Sequence, residues 1–314
     1  MENPSATQPH PQDPFAGYGA QPVTCQWFSN HDEQSARSAE IIRLILDDQR
    51  GHCDAWANDV YQQHFLREVQ DFIGPTNAVL VTDAGSIKTY IPPISQTVGC
   101  LRSGLTTLGE ALSRIELGQM ELLLGVDGCV AGEATHLQTV AHLKGKPEVS
   151  LDNTTVKLYP AGDERDSLIG WRICNALRRV PEDLAKARRV QTSLGTILVL
   201  VCNDAAIFSA RSRSNLGNSL GLAIRDHFTE QSRAEPRPAY ILIATHWQGT
   251  NPKTGRWSGE AFRQAANYLT KETGATVVTT MRTPRQEFAL AADRFPIVGP
   301  RSEKVATLLV SDTS

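Results

Sequence analysis

The C-terminal half of the chain carries continuous apolar runs of strand length, separated by polar segments. The runs lack the alternation of half-exposed strands, which predicts strands buried on both faces of a sheet. They span residues 195–202, 239–247, 275–282 and 304–311. Residues 258–273 have helical spacing instead, with Ser258 as the predicted N-cap and Gly274 as the predicted end. Strands that alternate with helices of this length predict an α/β fold.

The N-terminal part is less regular, and its apolar pattern shifts between helical and strand-like spacing. Helical spacing covers residues 32–49, 54–73 and 105–118. Strand-like runs cover residues 77–83 and 121–127, and a further strand opens the segment 155–164. Residues 178–189, which read RRVPEDLAKARR, hold both charge signs and predict a helix with a solvated face.

The first residues of the chain show no apolar periodicity and are rich in Pro, Gln and small side chains. Such a segment buries too little apolar surface to offset the entropy of ordering it, so we expect a disordered tail over residues 1–22. This tail also lacks the basic start and the apolar core of a signal peptide. The remaining residues, 23–314, are expected to form a single α/β domain.

Composition and charge exclude several classes of function. Hydrophobic residues make up 40% of the 314 residues and charged residues 21%, as in an ordinary globular protein. The net charge of −3 gives no footprint for nucleic acid, and no stretch approaches the roughly 20 apolar residues of a membrane span. The six cysteines include no CxxC pair, which favours reduced thiols in a cytoplasmic protein. The eight histidines include no HxH or HExxH pair, so we predict no catalytic metal, and no cofactor is predicted either.

Three successive predicted strands end in polar, reactive residues. These are Cys202 with Asp204, His246 with Trp247, and Thr280 with Arg282. If the strands are neighbours in one sheet, the residues lie along one rim, where open α/β sheets bind their ligands. A cysteine that leaves a strand into a tight turn is exposed as a nucleophile while its backbone stays held. The alternative is that Cys202 is an ordinary buried thiol and Asp204 a helix cap.

The segment GTILVLVCND…F…R resembles the nucleophile segment of the nitrilase superfamily, the carbon–nitrogen hydrolases. Cys202 and Asp204 match it directly, and Phe208 and Arg213 match it with one inserted residue. The runs YILIATHW, GRWSGEAFRQAANYLTKETGATVVTTM and FPIVGPRSEKVATLLV are similar to the elements that follow in that family, so the resemblance covers about residues 195–311. It implies a four-layer αββα sandwich that assembles into homo-oligomers.

The same resemblance implies a catalytic Glu, Lys and Cys. A thiolate attacks an amide or nitrile carbon, a carboxylate moves the proton and an ammonium stabilises the developing negative charge. Cys202 would be the nucleophile, and Lys157 in VKLYPAGDE would be the ammonium. The family places its Glu after a Pro at the end of an early strand, and no PE pair occurs there. Asp83, which closes AVLVTD, and Glu133 in GCVAGE are the two candidates for the carboxylate.

The remaining polar residues of the rim are candidates for binding substrate. Backbone donors around Asn203 would complete the oxyanion site, because this residue follows the thiol directly. His246, Trp247 and Arg282 would line the same rim from the neighbouring strands.

The expected function is therefore thiol-dependent hydrolysis of a non-peptide carbon–nitrogen bond in a small-molecule amide or nitrile. Two alternatives remain open from the residues alone. One is an amidotransferase-like enzyme that uses Cys202 and His246 as a Cys–His pair. The other is a catalytically inactive α/β protein whose rim binds a ligand or a partner.

Overall fold

The structure is a computed structural model, and it describes most of the predicted elements. The described residues are 23–28, 33–47, 59–91, 117, 120–130, 136–145, 154–157, 188–209, 225–226, 229–230, 232–250 and 253–312. Among the sequence predictions, the tail over 1–22 and the candidate residues Glu133 and Arg213 lie outside these ranges. The helix predicted at 105–118 also lies largely outside them.

The described strands and helices follow one another in a mixed order. The strands are β1 (Val23–Trp27), β2 (Ile41–Asp47), β3 (Val79–Val81), β4 (Ile87–Ile91), β5 (Glu121–Val130), β6 (His136–Lys144), β7 (Thr154–Val156), β8 (Arg189–Thr192), β9 (Gly195–Val201), β10 (Tyr240–Trp247), β11 (Thr276–Thr283) and β12 (Val305–Asp312). The α-helices are α1 (Glu33–Arg37), α2 (Asp59–Ile73), α3 (Glu260–Thr273) and α4 (Phe288–Arg294). Short 3₁₀ helices span Cys202–Phe208, Arg285–Glu287 and Ser302–Lys304.

The strands of the described residues form one curled sheet. Its order is β7-β6-β5-β3-β2-β11-β10-β9-β8, with β12 joined to β2 and β1, and β4 joined to β5. The strands from β5 across to β9 are parallel, whereas β6, β7 and β8 run antiparallel to their neighbours. Although β6 and β7 lie at the opposite end of this order from β9, both contact β9. The sheet therefore curls into a half-barrel.

Helices cover the outside of the sheet and complete the fold. Helix α3 packs on β11, α4 on β2, α1 on β12 and α2 on β1. Every residue of β2 and β11 is buried, because the parallel centre of the sheet is covered on both faces. The α/β prediction is confirmed, and the curled, helix-covered sheet agrees with the predicted nitrilase-like sandwich. None of the described helices is long and apolar enough to span a membrane.

The predicted helix over 32–49 is wrong. Only α1 is helical there, and residues 41–47 form the buried central strand β2. Arg43 made the run look amphipathic, but its side chain is buried and donates hydrogen bonds to Thr307 Oγ1 at 2.8 Å and to the carbonyl of Phe295 at 2.7 Å. Burial lowers the pKa of Arg43 to about 10. A short apolar run that contains one buried charge cannot be assigned from its periodicity.

Helix α3 ends as predicted but begins later. Gly274 adopts a left-handed conformation with φ of 72°, and its N–H donates to the carbonyl of Thr270 at 2.9 Å. The N-cap is Gly259, not Ser258. The Ser258 hydroxyl donates instead to Gln248 Oε1 at 2.9 Å, which ties the start of the helix to the end of β10. The predicted N-cap was wrong because a tertiary partner competes with the helix for this hydroxyl.

Candidate active site

The three polar strand ends lie on one rim, as the sequence predicted. Strands β9, β10 and β11 are adjacent and parallel, with Val201 opposite Ala244 and Ala244 opposite Thr280. Because parallel neighbours end at the same edge of a sheet, the ends of these strands lie side by side. The thiol of Cys202, the imidazole of His246 and the guanidinium of Arg282 thus come from neighbouring elements.

Cys202 sits where β9 turns sharply into a 3₁₀ helix. Its φ is 47°, and it is the one non-glycine residue of the described ranges with positive φ. A side chain in this conformation costs about 1–3 kcal/mol, and such residues cluster at functional sites. Phe208 at the end of the 3₁₀ helix stacks on Tyr268 of α3 with ring centroids 5.9 Å apart, which holds the turn from outside. The strand therefore delivers the thiol in the geometry of a nucleophile turn.

Lys157 follows β7 directly and is a buried lysine, with 5% of its surface exposed. Its Nζ donates to Gln138 Oε1 at 3.0 Å, and its backbone N–H donates to the carbonyl of the same residue at 2.9 Å. Lysine is almost never this buried unless its ammonium is engaged. The ammonium of Lys157 is therefore held by Gln138 on β6.

Arg188 joins the strand of Lys157 to the turn of Cys202. Its Nη2 donates to the carbonyl of Val156 at 2.9 Å, and its Nη1 lies 3.6 Å from Asp204 Oδ2, with both side chains fully buried. Burial lowers the pKa of Arg188, and the charge of Asp204 counteracts this. A single guanidinium therefore contacts the residue before the candidate ammonium and the residue two positions after the candidate nucleophile.

Sequence reasoning missed Arg188. At the described end of the predicted solvated helix over 178–189, Arg188 is helical but fully buried rather than solvated, and Arg189 already begins β8. The two adjacent arginines look alike in the sequence. Only the buried carboxylate of Asp204, 16 positions further along the chain, distinguishes the first of them.

Asp83 lies at the rim, fully buried, just beyond the end of β3. Its Oδ1 accepts hydrogen bonds from the N–H of Gly85 and the hydroxyl of Ser86, both at 2.8 Å. Its Oδ2 accepts a hydrogen bond from Arg282 Nε at 3.2 Å, and Arg282 Nη2 also donates to the carbonyl of Gly85. Both carboxylate oxygens are therefore engaged, and Arg282 is bound to Asp83 within the site.

His246 meets a carboxylate that the sequence did not single out. Its Nε2 lies 3.4 Å from Oδ2 of the fully buried Asp127 on β5. A side chain at Gly85 would collide with this imidazole, so the close approach requires glycine there. Asp127 closes the apolar run of the predicted strand over 121–127, and that position was the available sequence signal.

Contacts and cross-strand neighbours link several of these residues in series. This path runs through Lys157, Gln138, Asp127, His246, Gly85, Asp83 and Arg282. Gln138 and Asp127 are cross-strand partners on β6 and β5.

Asn203 is half-buried in the 3₁₀ helix beside Cys202. Trp247 ends β10, and its side chain lies outside what the structure describes. Across the described ranges, no group of three or more His, Cys, Asp or Glu residues could hold a metal ion.

Comparison with known proteins gives structural neighbours only. No family model and no curated protein matches the sequence. The fold is similar to a carbon–nitrogen hydrolase from Helicobacter pylori G27 at 9% identity and a TM-score of 0.43, covering 77% of this chain and 73% of that one. It is also similar to a cysteine-to-serine mutant of the Nesterenkonia AN1 amidase from the nitrilase superfamily, at 15% identity and a TM-score of 0.43, covering 88% and 92%.

A further structure of the Nesterenkonia amidase has 14% identity and a TM-score of 0.39, over 88% of this chain and 92% of that one. It is a glutamate-to-leucine mutant that shows covalent addition of the acetamide moiety of fluoroacetamide at the active-site cysteine. These neighbours belong to the family that the nucleophile segment resembles. At such low TM-scores and identities the likeness carries no argument about chemistry, which has to come from this chain's own residues.

Proposed function

We propose that the protein is a thiol-dependent hydrolase that cleaves a non-peptide carbon–nitrogen bond in a small-molecule amide or nitrile. Cys202 is the nucleophile, and Lys157 stabilises the negative charge that develops on the substrate. The observation that carries the proposal is the strained turn at Cys202, whose φ of 47° follows a buried strand. Arg188 supports the assignment of Lys157, because it ties the backbone next to this buried ammonium to the same turn.

The chemistry needs two steps. For an amide, the thiolate of Cys202 adds to the carbonyl carbon, and collapse of the tetrahedral intermediate expels ammonia or an amine, which takes up a proton. A thioester remains, and water cleaves it to give a carboxylate and the free thiol. For a nitrile, thiolate addition gives a thioimidate, and one water converts this into the thioester with loss of ammonia.

The proton is moved by a carboxylate at the rim, and Asp83 is the candidate whose contacts are described. Hydrogen bonds from Gly85 and Ser86 orient it, and Arg282 holds its second oxygen. Oδ2 accepts a single hydrogen bond, which leaves it a lone pair for the proton. Glu133 is the alternative carboxylate of this proposal and lies outside the described residues.

Substrate selection falls to the strand ends around the thiol. Backbone donors at Asn203 add to the oxyanion site, while His246, Trp247 and Arg282 form the wall of the pocket. Within this proposal the protein acts in the cytoplasm as a homo-oligomer on a freely diffusing substrate, and it uses neither a cofactor, nor nucleic acid, nor a membrane.

Ammonia release from a panel of small aliphatic and aromatic amides and nitriles tests the proposal. We expect turnover of at least one compound. Intact-mass analysis during turnover should show an acyl adduct, and peptide mapping should place it on Cys202. If no compound in a broad panel gives ammonia or an adduct, the hydrolase assignment is wrong.

One observation favours a second candidate, a hydrolase-like protein that binds a ligand without turning it over. Asp83 accepts three hydrogen bonds, one of them charge-assisted from Arg282, so three of its roughly four acceptor sites are used within the protein. Binding without ammonia release, measured by calorimetry with the same panel, distinguishes this candidate from the enzyme. Replacing Arg282 with Leu separates them further. Ammonia release should persist if Asp83 is the base. If Asp83 is only structural, the loss of its arginine should lower the free energy of unfolding with no gain of ammonia release.

A further inference from the structure

A cavity lies at the start of α3. Its volume is about 490 Å³, which is ample for a small organic ligand. The described residues that line it are Arg256, Trp257, Glu260, Arg263 and Arg294. None of these five residues belongs to the path from Lys157 to Arg282.

The charge of the pocket is positive. Arg263 forms a forked pair with Glu260, with donor–acceptor distances of 2.8 and 3.0 Å, and these two charges cancel. Within the described part of the chain, neither Arg256 nor Arg294 is paired with a carboxylate. The described lining therefore carries three positive charges and one negative charge.

Two buried donors beside the pocket also lack an acceptor. Trp257 Nε1 and Arg294 Nη1 are shielded from water and have no hydrogen-bond partner among the residues that the structure describes. Trp257 is only 8% exposed, and the guanidinium carbon of Arg294 lies 5.2 Å from the centroid of its ring. A buried donor without a partner costs about 1–3 kcal/mol. A ligand that accepts hydrogen bonds from these two groups would remove that cost.

The first turn of α3 adds to the positive field. Its N-cap is Gly259, which offers no side chain to the helix N–H groups. A Cβ at this position would collide with the rings of Phe295 and Trp257, so no capping residue fits there. The uncapped end of a 14-residue helix thus opens beside the arginines.

We propose that this pocket binds a small organic molecule through a carboxylate or phosphate group. The guanidinium groups of Arg256 and Arg294 donate hydrogen bonds to the anion. Trp257 donates its indole N–H and packs its ring against the apolar part of the ligand. The site is separate from Cys202, and its occupancy does not depend on the hydrolase chemistry.

Thermal unfolding of the full chain with inorganic phosphate or succinate tests this site, against sodium chloride at equal ionic strength. A ligand at 100 times its dissociation constant should raise the Tm by about 4 °C, whereas chloride should not. Calorimetry should show a dissociation constant at least about tenfold weaker for Arg256→Gln and for Arg294→Gln. Because Arg256 is exposed, its replacement leaves the fold intact. Arg237→Gln, which removes an exposed arginine elsewhere, is the matched control and should bind as the wild type does.

The two anions distinguish the source of the acceptor group. Binding of phosphate alone assigns the site to a phosphorylated ligand, and binding of succinate alone assigns it to a carboxylate. Equal stabilisation by both anions and by chloride would mean ionic screening and would overturn the proposal. So would undiminished binding in both pocket variants.

Discussion

The structure describes the side chains of Cys25 and Cys202, and the surroundings of these two thiols differ. Cys25 lies inside β1, in a regular strand at the edge, where burial and the nearby charge of Glu68 raise its pKa to about 12. Cys202 lies past the end of β9 in a strained turn, and the Arg188–Asp204 pair is attached to that turn. Burial alone therefore does not separate a structural thiol from a candidate nucleophile. The backbone geometry and the charged groups attached to it do.

The largest effect should come from exchanging each thiol for a hydroxyl. Cys202→Ser should lower kcat by about 10³-fold or more, because serine lacks a thiolate at neutral pH. Cys25→Ser should leave kcat unchanged, which makes it the matched control. Steady-state ammonia release measures both variants, and circular dichroism confirms that both fold. Equal activity of the two variants would remove the distinction between the cysteines.

The next largest effect on kcat should come from removing the positive charge of Lys157. Lys157→Met should lower kcat by about 10²–10³-fold, since it removes the donor that stabilises the oxyanion. His246→Gln should have a much smaller effect on kcat. The reverse order, with His246 essential and Lys157 dispensable, would assign Cys202 to a Cys–His pair as in an amidotransferase-like enzyme.

Arg188 tests whether the turn depends on its buried link. Arg188→Gln leaves the carboxylate of Asp204 buried without its charged partner and should lower the free energy of unfolding by about 3–5 kcal/mol. The apolar double variant Arg188→Met with Asp204→Leu should regain most of that stability.

If Arg188 also positions the turn, its replacement should lower kcat by more than the loss of stability explains. The double variant still lacks the bond to the carbonyl of Val156, so its kcat should stay low while KM changes little, and alkylation of Cys202 should slow toward the rate of Cys25. If kcat recovers together with the stability, Arg188 has only a structural role.

Acid should destabilise strand β9, which leads to Cys202, before it destabilises β1. Burial alone would raise the pKa of Glu121, but hydrogen bonds from His142 at 2.7 Å and from the Ser193 N–H at 2.8 Å lower it to about 2. Ser193 lies in the turn before β9, so this carboxylate anchors the strand that leads to Cys202. The folded pKa is below the unfolded value of 4.5. The stabilisation, at most about 3 kcal/mol, is therefore complete above pH 4.5 and is lost as the pH falls toward 2.

Hydrogen exchange between pH 5 and pH 2.5, corrected for intrinsic rates, measures this effect. Amides of β9 should lose protection before those of β1, and Glu121→Gln should remove most of the pH dependence. Simultaneous loss in both strands would show that Glu121 does not favour one side of the sheet.

The sequence predicted the fold where local pattern and tertiary environment agree. Strands β9 to β12 were found to within two residues because uninterrupted apolar runs of that length fit a covered parallel sheet. The prediction failed where a polar side chain has a distant partner, as with Arg43 in β2, Ser258 before α3 and Arg188 before β8. A hydrogen bond across the fold leaves no periodic signal in the chain.

The candidate site shows the same division. Cys202, His246 and Arg282 could be placed on one rim because each closes a visible strand. Three other contacts depend on segments that are separate in the sequence. They join Arg282 to Asp83, His246 to Asp127, and Arg188 to Asp204. These contacts could not be derived from spacing.

The most direct test of the central claim is brief alkylation at neutral pH, read out by peptide mapping. Iodoacetamide should modify Cys202 of the native protein before any other cysteine, while Cys25, with its raised pKa, should react only after denaturation. Under the proposed assignment, Lys157→Met should slow the modification of Cys202, because it removes the positive charge that favours the thiolate. If Cys202 stays unmodified until the protein unfolds, it is a core thiol, and the claim that it is a nucleophile is contradicted.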